Sequence, residues 1–510
     1  MKHLLSDVNV ALVSGASRYP AEAPFHPPEA YAEYPHGGGK VDASNAVYPM
    51  VREAFRLLGM DGPNFGRPAW NPLGGLISRG QRVLIKPNFV LHFNAGGGPL
   101  EAVVTHPSVI RAVADYVMIA LRGEGEIIVG DAPQMNCDLA ALYGRSGMDG
   151  LVTFLSEACE ARGIKFSALD FRQEQAFYRY GIVWERKRLD GAAPPVHVSV
   201  GRDSFMEAID STRLYGADYC RSQTVTAHKN HRHEYVIAHA ALASDVVISV
   251  PKLKVHRKVG TTLNLKNMVG INADKNHLAH YRTGSPREGG DEFAEPRWED
   301  RAERRLTDLL LGTSWQAGKY PFLIWRAFRK VYDRVSGAGA RPAATYGNWH
   351  GNDTAWRMVL DLNRILMFAD REGRLRREPQ RCYFSVIDGV VGGEGEGPLH
   401  PDAYHSGVVL AGLNPLAVDW VGTRLMGFDP ARIALYRNAV EQMRDWIPDF
   451  NVERCRVLTN AREWQNVLGR DEAIFKFRAP RGWRGTVERY ELTDDPTVEP
   501  AAGPAGAISQ

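Results

Sequence analysis

The sequence predicts an α/β protein: a mostly parallel sheet flanked by helices, with Rossmann-like βαβ units and a helical insertion. Three observations carry this. Short apolar runs such as Val83-Leu84-Ile85 and Val246-Val247-Ile248-Ser249-Val250 suit strands buried on both faces. Such runs alternate with stretches of helical periodicity at βαβ spacing. Four of the runs end in Lys or Asp followed by turn formers, which in an open parallel sheet gathers charge along one edge.

The elements follow in order. Asn9–Ser14 (NVALVS) reads as a first strand, and a loop over 16–45 rich in Pro, Gly and aromatics follows it. Residues 45–60 place Val47, Val51, Ala54, Phe55 and Leu58 at helical spacing, with Gly59 as the stop. A buried strand at 82–85 leads to an amphipathic helix over 106–121, with Thr105 as N-cap and Pro107 in the first turn. Then come a strand at 126–129, a helix at 150–162 and a strand at 165–169. Residues 172–235 are less regular, and 196–200 is the best antiparallel candidate. A strand at 244–250 and a helix at 262–269 precede an insertion over 275–350, polar at 284–305 and aromatic and basic at 315–335. A helix at 354–368, strands at 383–387 and 408–410 and a helix at 415–426 complete the pattern. The expected organisation is an N-terminal α/β part (1–270), the insertion (271–350), an α/β completion (351–480) and a mobile tail (481–510).

Composition narrows the function. Of 510 residues, 44% are hydrophobic and 24% charged, the balance of an ordinary globular protein. The net charge of +3 argues against a dedicated nucleic-acid binder, and no nucleic-acid partner is expected. Five cysteines stand far apart with no C-x-x-C pair, so neither a disulfide framework nor a metal ribbon can be written from them. The first fifteen residues carry no signal-peptide core, and no apolar run is long enough to span a bilayer. A cytoplasmic location is the expectation.

The charged strand ends are the strongest functional signal. The apolar runs lead into Lys86-Pro87-Asn88, into Gly130-Asp131, into Pro251-Lys252-Leu253-Lys254-Val255-His256 and into Asp388-Gly389. One polar strand end is ordinary; four with Lys or Asp point to a shared rim. Lys252, Lys254 and His256 alternate, so an extended backbone projects them to one side, suiting a phosphate or carboxylate. Thr261 and Thr262 are placed to cap a helix whose free N–H groups face the anion, with Lys266 one turn in. Lys86, Asn88, Lys252, Lys254, Thr262 and Asn267 are the candidate substrate-binding residues. His256, Lys266, Asp131 and Asp388 are the candidate catalytic groups.

Other motifs are weaker. The stretch 392–398 is rich in glycine but acidic, a poor phosphate cradle that fits no Walker or dinucleotide fingerprint. Glu394 and Glu396 suit a divalent metal or a carboxylate base instead. His228-x-x-His231-x-His233 has a tempting spacing, but Lys229 and Arg232 would oppose a dication, so a solvated loop is expected. Asn276, His277 and His280, with the loop at 284–293, are expected to close over the site as a lid. The aromatic, basic segment 315–335 reads either as a helix resting on an anionic membrane or as one packing its aromatic stripe on the main domain.

Lys86-Pro87-Asn88, Thr105-His106-Pro107 and Gly130-Asp131 resemble the domain-of-unknown-function family 362. The stretch from Ala243 to His256 with Leu265-Lys266-Asn267 carries its most specific signature, and Asp388-Gly389 and Asn414-Pro415 with Ala417 and Asp419 complete the order. The resemblance spans roughly residues 80–430. It implies the fold and the site rather than a reaction. Some members are described as iron–sulfur proteins with clustered cysteines, a feature this sequence lacks, so no such cluster is expected on this chain. The leading expectation is a cytoplasmic enzyme acting on a small anionic metabolite. A redox component of an iron–sulfur-type complex and a membrane-surface binding protein are the alternatives.

Overall fold

The computed structural model describes residues 2–37, 40–179, 182–190, 193–217, 220–295, 298–311, 319–335, 345–443 and 450–492. Trp315 and the end of the tail, from 493, lie outside these. In chain order the strands are β1 (Asn9–Ser14), β2 (Arg82–Pro87), β3 (Gly125–Asp131), β4 (Ile164–Asp170), β5 (Glu174–Arg179) and β6 (Ile182–Arg188). Then come β7 (Val196–Ser199), β8 (Leu214–Gly216), β9 (Glu234–Ile237), β10 (Val246–Val250), β11 (Lys252–His256) and β12 (Gly260–Thr262). The last are β13 (Ala279–Arg282), β14 (Cys382–Glu396), β15 (His400–Tyr404), β16 (Val408–Gly412) and β17 (Arg456–Thr459).

Eleven strands form one mixed sheet whose main order is β17-β1-β16-β14-β10-β2-β3-β4. The run β14-β10-β2-β3-β4 is parallel throughout, and β16 lies antiparallel between β14 and β1. The fold is therefore α/β. Side chains alternate across the sheet as the pleat requires: Val83, Ile85, Ile127, Val129, Val246 and Ile248 face one core, Leu84, Ile128 and Val247 the other. Helices Val47–Leu57, Pro107–Leu121 and Met148–Glu160 contribute to the first core; Ala355–Phe368, Pro415–Leu425 and Ala434–Gln442 contribute to the second. Both sheet faces are covered, which is why the central strands read as unbroken apolar runs.

Several expectations are corrected. The helix at 107–121 is capped by His106, whose side chain accepts from the Ser108 N–H; the Thr105 hydroxyl instead donates to the Val250 carbonyl at 2.6 Å. The helix expected at 262–269 is a single turn, Asn264–Asn267, continued by a 3-10 turn, while Thr262 ends β12 and caps nothing. The acidic glycine stretch is the far half of the 15-residue β14, paired antiparallel with β15 from Gly392↔Tyr404 to Glu396↔His400. In the region 284–293, expected as a lid, residues 286–289 are exposed while 290–293 are packed: Asp291 is buried, accepting from the Arg282 and Asp353 N–H groups and the Thr354 hydroxyl, and buried Glu292 meets Arg304. His228 and His233 are buried too, so of that triplet only His231 fits a solvated loop. No helix of the described residues is long and apolar enough to cross a membrane.

The turn Asn264–Asn267 is fixed by Asp419, a fully buried carboxylate that accepts from the Asn264 N–H at 2.7 Å, the Asn264 amide at 2.9 Å and the Leu265 N–H at 2.9 Å. Burial pushes this carboxyl up to about 7 against the opposing effect of those donors. Asp419→Ala leaves three donors unmet, and a loss of about 2–4 kcal/mol is expected in urea denaturation.

Candidate functional site

Parallel pairing in register brings the charged strand ends together. Within β10, Ser249 stands opposite Lys86 of β2 on one side and Ser385 of β14 on the other. The chain then turns at Pro251 and adds β11 alongside the continuation of β14, setting Lys252 opposite Asp388 and Lys254 opposite Gly393.

Two ion pairs anchor this edge. Lys86 Nζ lies 2.7 Å from Asp131 Oδ1 and donates to the Pro87 carbonyl and Asn267 Oδ1. Asp131 also accepts from the Phe89 and Ala132 N–H groups at 2.6 and 2.8 Å. Asn267 completes the clamp by donating to the Lys86 carbonyl and Ser249 Oγ. Lys252 Nζ lies 2.7 Å from Asp388 Oδ2 and donates to Tyr19 OH at 2.7 Å, which in turn donates to Asp388 Oδ1 at 2.6 Å. The His106 N–H closes the second cluster on Asp388 at 2.8 Å, and its ring stacks on Tyr19 with centroids 4.0 Å apart. Burial lowers both lysines, and each carboxylate partner opposes that shift.

Beside these pairs lies a group of lysines that have no carboxylate partner among the described residues. Lys254 donates to the Val103 carbonyl, Lys275 to the Ala132 carbonyl at 2.7 Å, and Lys258 to the Tyr346 carbonyl. Lys266 has neither an ion pair nor a hydrogen bond to its ammonium among the described residues. Burial and then Lys275 and Lys86 bring Lys266 down to about 7. Lys258 falls to about 7 and Lys275 to about 8, chiefly by burial. Lys254 is held well below the ordinary lysine range by burial, Lys252 and Lys266. His256 and His280 are kept neutral by burial and the surrounding ammonium groups, His280 at about 3. Two buried acceptors at this edge, Asn88 Oδ1 and Thr262 Oγ1, have no hydrogen-bond partner among the described residues, and Thr262, in β12, stands opposite Lys254. Unpaired ammonium groups beside open oxygen acceptors have the chemistry to receive an anion that carries hydroxyl or water donors.

The structure thus brings Lys86, Asp131, Lys252, Lys254, Asp388, His256, Lys266, Asn267, Asn88 and Thr262 to one edge, but divides them. Lys86 and Lys252 are spent on carboxylates; Lys254 and Lys266 are not. Sequence reasoning missed Lys258, Lys275 and Tyr19, which sit outside the strand-end pattern. It also missed Gly270, where a Cβ would come 1.9 Å from Asp131 Oδ1 and 2.6 Å from Lys86 Nζ. His280 belongs to the cluster, whereas His277 turns to Glu234 and Asp274.

The metal reading of Glu394 and Glu396 finds both carboxylates held by arginine: Glu394 accepts from Arg478 Nε at 2.8 Å, and Glu396 lies 3.2 Å from Arg257 Nε and accepts from the Arg481 N–H. Among the described residues no group of three or more His, Cys, Asp or Glu converges as a metal site. The cysteines do not fit an iron–sulfur cluster either. All five are free, on separate segments, and burial pushes the thiols of Cys137, Cys159 and Cys455 up to about 12, away from the thiolate that binds iron.

Two outcomes follow. Gly270→Ala forces the Lys86–Asp131 pair apart, and a loss of about 2–3 kcal/mol is expected in urea denaturation. Lys266 has a folded-state pKa near 7, below its unfolded value. Below that pH both states hold the proton and the buried charge destabilises the fold; above it the folded state releases the proton first, so stability rises with pH. Lys266→Met removes this dependence. Its stability advantage over the parent protein should shrink by about 1–2 kcal/mol between about pH 6 and about pH 9, measured by chemical denaturation.

Residues 83–177 and 196–424 match the sequence profile of DUF362, a domain of unknown function. No curated protein and no solved structure is found to match the chain. The matched residues run from β2 to the helix Pro415–Leu425 and include both ion pairs and Lys254, Lys258, Lys266 and Lys275. Tyr19 lies before them, so a residue outside the matched span completes one pair. With well over half of its residues matched, the chain belongs to the DUF362 family.

Proposed function

We propose that this protein is a cytoplasmic enzyme acting on a small phosphate- or carboxylate-bearing metabolite bound at Lys254, Lys258, Lys266 and Lys275. One observation carries the reading: four buried or half-buried lysines gather at the carboxyl edge of a parallel sheet without an ion pair among the described residues, where desolvated cations are unfavourable until an anion neutralises them. Lys86–Asp131 and Lys252–Asp388 form the rigid floor, holding β2, β3, β11 and β14 in place. Lys266, near neutrality, is suited to pass a proton to or from the bound molecule, and neutral His256 stands beside it. The scattered free cysteines support a reducing compartment.

Sulfate, whose charge is constant near neutral pH, is the probe. Calorimetric titration of the parent protein is expected to show saturable binding that is stronger below pH 7 than above pH 8, as Lys258, Lys266 and Lys275 lose their protons. Lys254→Ala and Lys266→Ala should each weaken it by about tenfold or more. Unchanged affinity in both variants, or no binding of sulfate or inorganic phosphate to the parent, would reject the site.

A further inference from the structure

Helices Trp298–Leu311 and Lys319–Val335 pack together through an apolar cluster separate from the two main cores. Leu310 and Phe322 are buried there, with Leu306, Leu323 and Trp325 against them. One face of Lys319–Val335 is thereby satisfied, as core packing of its aromatics requires. Other apolar side chains of the helix are exposed. Tyr320, Ile324, Phe328 and Val331 recur at steps of four, four and three, so they form one stripe, and they are 61%, 72%, 61% and 60% exposed. The β5–β6 hairpin extends the patch: the Trp184 ring meets Tyr320 edge-on with centroids 6.0 Å apart, and Phe177 is exposed on β5. A soluble protein rarely leaves so much contiguous apolar surface to water.

Charge identifies the occupant. Segment 319–335 carries five basic residues against one acidic, Asp333, and β6 adds Lys187 and Arg188 against Glu185, its Arg186 being paired with Glu174 of β5. In a chain with a net charge of only +3 this excess is local. An aromatic and aliphatic stripe accompanied by cations matches a surface of anionic lipid, whose interior accepts the stripe and whose headgroups accept the lysines and arginines. The helix is too polar to span a bilayer, so it would lie in the plane of the interface.

We infer that helix Lys319–Val335 and the β5–β6 hairpin dock this protein on an anionic membrane surface. The full-length protein is sedimented with vesicles of phosphatidylcholine alone and of phosphatidylcholine containing phosphatidylserine. Binding at least about tenfold tighter to the anionic vesicles, and weakened by added salt, is expected. The double variant Ile324→Glu/Phe328→Glu changes only exposed side chains and should lose that binding by about tenfold or more with its thermal transition unchanged. Lys187→Glu/Arg188→Glu should reduce the preference for phosphatidylserine, and it decides the matter if the first variant fails to fold. Equal binding to both vesicle types, or unchanged binding by the variants, overturns the inference. So does a lipid-free dimer that Ile324→Glu/Phe328→Glu dissociates, which would make the stripe a contact between two copies of this chain.

Discussion

A buried ammonium is stable only when something nearby accepts its protons, and the carboxyl edge of this sheet collects six lysines. Two receive carboxylates. Asp131 and Asp388 are themselves fixed by backbone N–H groups, so each pair locks a strand end: Lys86–Asp131 joins β2 to β3, and Lys252–Asp388 joins β11 to β14. Of the other four, Lys254, Lys258 and Lys275 rest on carbonyl oxygens, and Lys266 has no partner among the described residues. Desolvation lowers their pKa values, and it is the ground for the proposed anion site. Structure and candidate function therefore share one electrostatic arrangement.

That arrangement depends on parts distant in sequence. Asp419, on the helix Pro415–Leu425, sets the turn Asn264–Asn267, and Asn267 clamps Lys86. Gly270 leaves the space in which Asp131 meets Lys86. Tyr19 reaches in from the N-terminal loop to Lys252 and Asp388. A change at any of these positions would reach the cluster through the pairs without touching a ligand.

The strand ends were legible in the sequence because parallel strands buried on both faces must be apolar throughout and then change abruptly where they leave the sheet. That rule identified β2, β3, β10 and β14, and with them Lys86, Asp131, Lys252, Lys254 and Asp388. It failed beyond Asp388. There the strand continues as Gly392-Gly393-Glu394-Gly395-Glu396, because β11 and β15 pair with it, and glycine is needed where neighbours come close: a Cβ at Gly393 would lie 2.6 Å from the Ala102 carbonyl. Likewise Thr105 and Thr262 look like helix caps locally, yet one hydroxyl is taken by the Val250 carbonyl and the other residue is held in a strand.

By itself, the sequence determined the α/β class, the central strands and the residue types at their carboxyl ends, since these follow from local periodicity and burial. It also determined that basic and aromatic residues alternate along 315–335. Only the tertiary structure decided which lysines at this edge meet a carboxylate and which do not, because a carboxylate reaches an ammonium across strands and not along them. It likewise turned one apolar face of Lys319–Val335 onto its neighbouring helix and the other outward. Composition counts charges; only the fold shows which of them are neutralised.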